Sequence, residues 1–162
     1  MVLLRIYKSA RRIFLLISAP VIISAACASF EDKKSATVYF EEGASLVQRG
    51  KYDEAIEKYK KGLRKETHSA VGYNYLGIAY RNKYAQLRSL KWRQKEIDAF
   101  KKALELDPNF YLPYINLGRT YYDMGNRKEA AFYFKKGLEI FPEHPSRELI
   151  EKMIREGERE GR

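Results

Sequence analysis

The sequence predicts an all-α fold, an α-solenoid of three helical hairpins closed by a C-terminal capping helix. Three observations carry this. Tyr39, Tyr73 and Tyr114 recur in register with Gly43, Gly77 and Gly118, at spacings of 34 and then 41 residues. Leu63, Leu104 and Leu138 recur at 41 and then 34, and Pro108 and Pro142 are again 34 apart, so three units of 34 residues fill 36–144 with seven additional residues in the second. Within a unit, apolar residues step by three and four, as in Tyr73, Leu76, Tyr80, Tyr84 and Leu87, which marks one face of a helix.

Residues 1–26 are expected to be an export signal. Arg5, Lys8, Arg11 and Arg12 come first with no acid among them, and the apolar run Ile13 to Ala26 follows. At 14 residues with Pro20 inside, the run is short of the roughly 20 residues that span a bilayer. The single cysteine, Cys27, stands where the run ends, after Ser24, Ala25 and Ala26. One cysteine makes no intramolecular disulfide. The segment resembles the lipobox of bacterial lipoproteins. That resemblance implies cleavage before Cys27, lipid attachment at Cys27, and a membrane-anchored lipoprotein of the bacterial cell envelope that faces the periplasm or exterior. Cleavage after Ala26 or Ala28 without lipid, and an uncleaved anchor, remain alternatives. Arg11 to Leu15 also resembles a twin-arginine export motif, although an ordinary basic leader accounts for the same residues.

With lipid on Cys27, as the resemblance implies, residues 27–35 would be the lipidated N-terminus and linker. Ala28 to Ser35, fully extended, would reach roughly 26 to 29 Å and hold the next domain just off a membrane.

The hairpins follow as 36–69, 70–110 and 111–144. Each is read as a helix, a turn such as Gly50-Lys51 or Gly125-Asn126, and a second helix that ends near Asp107-Pro108 or Phe141-Pro142. A lone hairpin cannot bury its own apolar face, and three in a stack are about the minimum for a continuous core. The third unit reads Tyr114, Leu117, Gly118, Tyr121, Ala130, Phe134 and Pro142. The second has Tyr73, Leu76, Gly77, Tyr80, Phe100, Ala103 and Pro108, with Glu96 at the place of an Ala; the first keeps Tyr39, Gly43, Ala55 and Tyr59. These residues resemble the tetratricopeptide repeat, whose pattern is W-x2-L-G-x2-Y, then A-x3-F, then P, at a period of 34.

Residues 145–162 are expected to be a capping helix and tail. Ser146 suits an N-cap, Leu149, Ile150, Met153 and Ile154 make a narrow apolar stripe to about Gly157, and 158–162 should fray.

Binding is the expected activity, because stacked hairpins leave a concave face lined by the first helix of each unit. The resemblance implies groove positions by register. In the first unit these are Phe40, Ala44, Val47 and Gln48. In the second they are Asn74, Ile78, Arg81 and Asn82, and in the third Ile115, Asn116, Arg119, Tyr122 and Asp123. Their amides and arginines suit a peptide backbone or carboxylate, and their apolar members suit side chains. The expected partners are a protein or peptide in this groove and a membrane through the N-terminal lipid. The role implied is a non-enzymatic scaffold that recruits a partner in envelope assembly. Tetratricopeptide receptors of chaperone tails use Lys, Arg and Asn at places held here by Phe40 and Ala44, which argues against that role.

No catalytic pattern is present. His68 and His144 lie in inter-repeat turns without a neighbouring ligand set, and no phosphate loop, HExxH or GxSxG occurs, so neither cofactor nor metal is expected.

The net charge of +10 comes from 31 basic and 21 acidic residues. Four basic residues belong to the leader, and six lie between Arg81 and Lys95 with no acid among them. The seven added residues amount to about two helical turns, so each helix of the second hairpin should grow by about one turn and form a projecting tip. Lys83, Arg88, Lys91, Arg93 and Lys95 make that tip basic, and Tyr84, Leu87 and Trp92 are expected to pack inside it. It suits phospholipid head groups or an acidic protein. Nucleic acid is not expected as a partner and stands as an alternative reading through this tip, one that needs exposed rings for stacking.

Overall fold

A computed structural model describes residues 34–160. The leader, Cys27 and the linker up to residue 33 lie outside the described residues. The described chain is helical throughout: α1 (Ala36–Gln48), α2 (Tyr52–Lys65), α3 (Ala70–Leu87), α4 (Leu90–Leu106), α5 (Tyr111–Asp123), α6 (Arg127–Ile140) and α7 (Arg147–Glu160). Each helix packs on the next, and α1 also reaches α3. This is the expected solenoid of three hairpins, α1/α2, α3/α4 and α5/α6, with α7 against the last.

One contact repeats in every hairpin. The glycine in the first helix faces an aromatic ring of the second: Gly43 faces Tyr59, Gly77 faces Phe100 and Gly118 faces Phe134. A Cβ built on Gly77 would stand 2.5 Å from Phe100 Cε1, and one on Gly118 would stand 2.5 Å from Phe134 Cδ1. Only a residue without a side chain lets the helices approach this closely. The rings so enclosed are fully buried, and each is worth roughly 1.5 to 3 kcal/mol of burial.

The turns inside the first and third hairpins are alike. Gly50 has φ 71° and Gly125 φ 80°. At the first, Lys51 N donates to Leu46 O and Gly50 N to Val47 O; at the third, Asn126 N donates to Tyr121 O and Gly125 N to Tyr122 O. This closes the helix with its last carbonyls satisfied, and the left-handed residue it needs is cheapest as glycine. In the second hairpin that left-handed position is held by Arg88, at φ 54°. Its N–H donates to Tyr84 O at 2.7 Å.

The added residues lengthen both helices of the second hairpin. α3 has 18 residues and α4 has 17, against 13 and 14 in the hairpins on either side.

α7 seals the third hairpin. Ile150 and Ile154 are buried with Ala130, Ala131 and Phe134, and Gly157 lies directly on the backbone carbonyl of Arg127. The helix continues three residues beyond Gly157, to Glu160.

Candidate functional site

The first helices of the hairpins, α1, α3 and α5, carry the expected groove, but the structure takes several of its residues inward. Phe40 is buried, its ring lying over Gly62 and Gly72 and meeting Tyr75 edge-on at 6.3 Å. It is therefore core and not groove. The reason is local: two glycines on the neighbouring helices leave a slot of ring width. Asn74 is also buried, and Asn116 Nδ2 donates to its Oδ1 at 3.0 Å. Ile115 is wedged against Gly137. Tyr122 donates its hydroxyl to Glu156 on α7 at 2.5 Å, with the Arg127 guanidinium stacked on its ring at 4.2 Å. Ile78 packs partly against the core, as does Val47. Gln48, Arg119 and Asp123 are exposed, and Asn82 is half-buried.

Three exposed apolar residues belong with these. Val71 and Tyr75 on α3 and Leu112 on α5 are large and water-facing. Val71 and Leu112 are 41 apart, the same interval that relates Tyr73 to Tyr114, so the repeat register already contained the signal. The resulting face is an apolar strip at the starts of α3 and α5 with Gln48, Asn82 and Arg119 further along.

Arg81 and Asn116, also expected in the groove, are tied into a polar network centred on Glu96. Glu96 is 0% exposed. Arg81 Nε donates to its Oε1 at 2.9 Å, Arg93 Nη1 to its Oε2 at 2.7 Å, and Thr120 Oγ1 to its Oε1 at 2.5 Å. Arg81 also donates from Nη1 to Asn116 Oδ1 at 2.9 Å and from Nη2 to Asn116 O at 2.8 Å. Both guanidiniums lie on rings, Arg81 over Phe100 at 5.0 Å and Arg93 over Tyr84 at 3.8 Å. Burial pulls Arg81 down from its ordinary pKa. The charge and hydrogen bond of Glu96 oppose this, while Arg119 and Arg93 add to it. The network joins α3, α4 and α5. It explains the Glu at the place of an Ala: the carboxylate ties the second hairpin to the third.

The basic tip is smaller than its sequence. Lys83 is buried and donates to Asp53 Oδ2 on α2 at 2.7 Å, and Arg93 is spent on Glu96. Among the described residues, no carboxylate pairs with Arg88, Lys91 or Lys95. Trp92 packs on Tyr80 at 5.7 Å, beneath Lys95 Nζ at 4.6 Å. Tyr84 and Trp92 are thus covered by cations and offer no bare ring for a base to stack on. Leu87, expected inside the tip, is instead exposed, because the lengthened helices outrun the shorter neighbours that would cover it.

The histidines occupy turns. His68 Nδ1 lies 2.9 Å from Thr67 Oγ1, and His144 Nδ1 accepts from the backbone N–H of Ser146 at 3.1 Å beside Tyr111 and Phe141. Among the described residues no group of His, Cys, Asp and Glu is placed to hold a metal ion, and no helix is long and apolar enough to cross a membrane.

Residues 111–144 and 87–110 match the tetratricopeptide repeat, and residues 43–83 match the TPR repeat. Protein IFIT1 homolog B of Homo sapiens is 28% identical over 127 residues, covering 68% of this chain and 27% of its own length. Photosystem I assembly protein Ycf3 of Prochlorococcus marinus is 28% identical over 116 residues, covering 67% of this chain and 65% of its own. The chain therefore spans about a quarter of the first relative and just under two thirds of the second. Among solved structures, the first TPR of Spaghetti (RPAP3), bound to the HSP90 peptide SRMEEVD, superposes with a TM-score of 0.65 at 23% identity over 77% of this chain and 91% of that one.

Proposed function

This chain is a tetratricopeptide repeat protein, and on that premise we propose that it is a non-enzymatic scaffold of the bacterial cell envelope, held to a membrane by lipid on Cys27, that recruits a peptide segment of a partner during assembly of an envelope structure. The observation that carries the binding role is the exposed face made by Val71, Tyr75 and Leu112 with Gln48, Asn82 and Arg119. The apolar members suit side chains of an extended segment, the amides suit its backbone, and Arg119 suits a carboxylate. A similar fold holding a short acidic peptide, and a relative whose name is that of an assembly protein, support a role in holding partners. The leader and the residues before Cys27 support the envelope location.

Mass spectrometry of the mature N-terminus tests the anchor. An acylated Cys27 is expected, and a soluble protein that begins at Met1 would sink the envelope reading. A photo-cross-linker at Val71 tests the face. It should capture one partner in the parent and lose it in Leu112→Ser with Arg119→Glu, two exposed positions whose change leaves the fold intact; equal capture refutes the assignment.

A further inference from the structure

We propose that the apex of the second hairpin is a membrane-docking wedge, in which Leu87 and Leu90 enter the interface of a bilayer containing anionic lipid and Arg88, Lys91 and Lys95 lie against its head groups. Leu90 is 76% exposed and Leu87 52%, and they flank the two-residue turn Arg88-Ser89. A single exposed leucine needs no explanation. Two of them, at the end of a hairpin whose first helix exceeds its neighbours by five residues, about 7.5 Å of helix, do.

The turn itself points the same way. Glycine fills the left-handed position in the other two hairpins, and here an arginine is held there against a steric cost. A cation at the turn of the longest hairpin, where glycine would suit the backbone better, points to use of its charge. Its neighbours agree. Between Arg81 and Lys95 there is no acid, and Arg88, Lys91 and Lys95 are left without a described carboxylate, whereas Lys83 and Arg93 are spent inside. Anionic lipid is the complement of such a cluster.

Shape separates a membrane from an acidic protein. Two leucines flanking a two-residue turn offer far less than the roughly 800 Å² per partner that a stable protein interface buries. A bilayer interface, by contrast, takes up individual apolar side chains with cations beside them. This wedge does not depend on lipid at Cys27. Where both operate, the second contact would fix the orientation of the stack above the surface.

Trp92, the only tryptophan, is two residues from Leu90 and reports on this apex alone. Its emission in the full chain is to be followed on vesicles of phosphatidylcholine with and without phosphatidylserine, carrying acyl chains brominated near the head group. Quenching is expected on the anionic vesicles, little on the neutral ones, and less with added salt. Leu87→Asp with Leu90→Asp should abolish quenching without altering thermal unfolding, and Arg88→Glu with Lys91→Glu should weaken it about tenfold or more. Vesicle binding with Trp92 unquenched would mean that the N-terminal segment alone makes contact, and would overturn the proposal. So would equal quenching in the parent and the leucine variant, or binding of the apex to polyglutamate and not to vesicles.

Discussion

Thr120 on α5 donates its hydroxyl to Glu96 on α4 at 2.5 Å, across the seam between the second and third hairpins. The carboxylate it meets also neutralises Arg81 and Arg93, so one fully buried residue serves three elements. Glu96→Ala would leave two desolvated guanidiniums without their anion. Loss of about 3 to 5 kcal/mol in urea unfolding is expected. Replacing Arg81 and Arg93 by Leu in the same protein should recover most of it, since the cost lies in the stranded charges.

Arg88→Gly is expected to stabilise the fold. The left-handed backbone at Arg88 costs roughly 1 kcal/mol more for a residue with a Cβ than for glycine. Thermal unfolding should shift upward by about 2 to 5 °C. The same variant should dock less well on anionic vesicles, which separates stability from function at one position.

Gly77→Ala is expected to destabilise. The new methyl would stand 2.5 Å from Phe100 Cε1, and that ring is fully buried with the Arg81 guanidinium over it, so it has nowhere to retreat. A loss of about 1 to 3 kcal/mol by chemical denaturation follows. Gly118→Ala should behave alike against Phe134.

Tyr59 gives a dependence on alkaline pH. Burial, with a smaller contribution from Tyr75, pushes its hydroxyl up to about 12. An unfolded tyrosine ionises near pH 10. Its contribution is therefore fully present below pH 10 and is lost as pH rises towards 12, by about 1.4 kcal/mol per pH unit. Tyr59→Phe should flatten this part of the stability profile between pH 10 and 12, read as a smaller drop in melting temperature.

Truncation after His144 removes the cover from Ala131 and Phe134 and cuts the Tyr122 hydrogen bond to Glu156. In a stack held by neighbour contacts the damage should be local first. Amide exchange is expected to rise in α5 and α6 before α1 and α2, and unchanged protection in α6 would contradict the capping role of α7.

The helices and their order were legible because the repeat leaves period, glycine and proline in register. The fates of individual surface positions were less so. Register identifies a helix face, but not whether a neighbour reaches it. Phe40 sits at a groove position and is swallowed because Gly62 and Gly72 make room for it. Leu87 continues an apolar stripe and is left exposed because no neighbouring helix extends so far. Glu96 was visible only as a departure from the repeat. Arg93 meets it from three residues away on the same helix, but the contacts of Arg81 and Thr120 with it join residues 15 and 24 positions apart, which no local pattern encodes. The run of six cations looks like one patch in the sequence, yet three of them, Arg81, Lys83 and Arg93, are bound inside.

The outward side of α7 has a consequence for what the domain measures. Glu148, Lys152 and Arg155 are exposed there, so a fourth hairpin would have to strip hydration from ionised groups to dock. Those charges disfavour the stacking of a further hairpin on α7. Three first helices spaced about 10 Å apart present a strip on the order of 20 to 30 Å, the span of about six to nine extended residues. The cap thus makes the stack a ruler, setting the length of the segment it can hold.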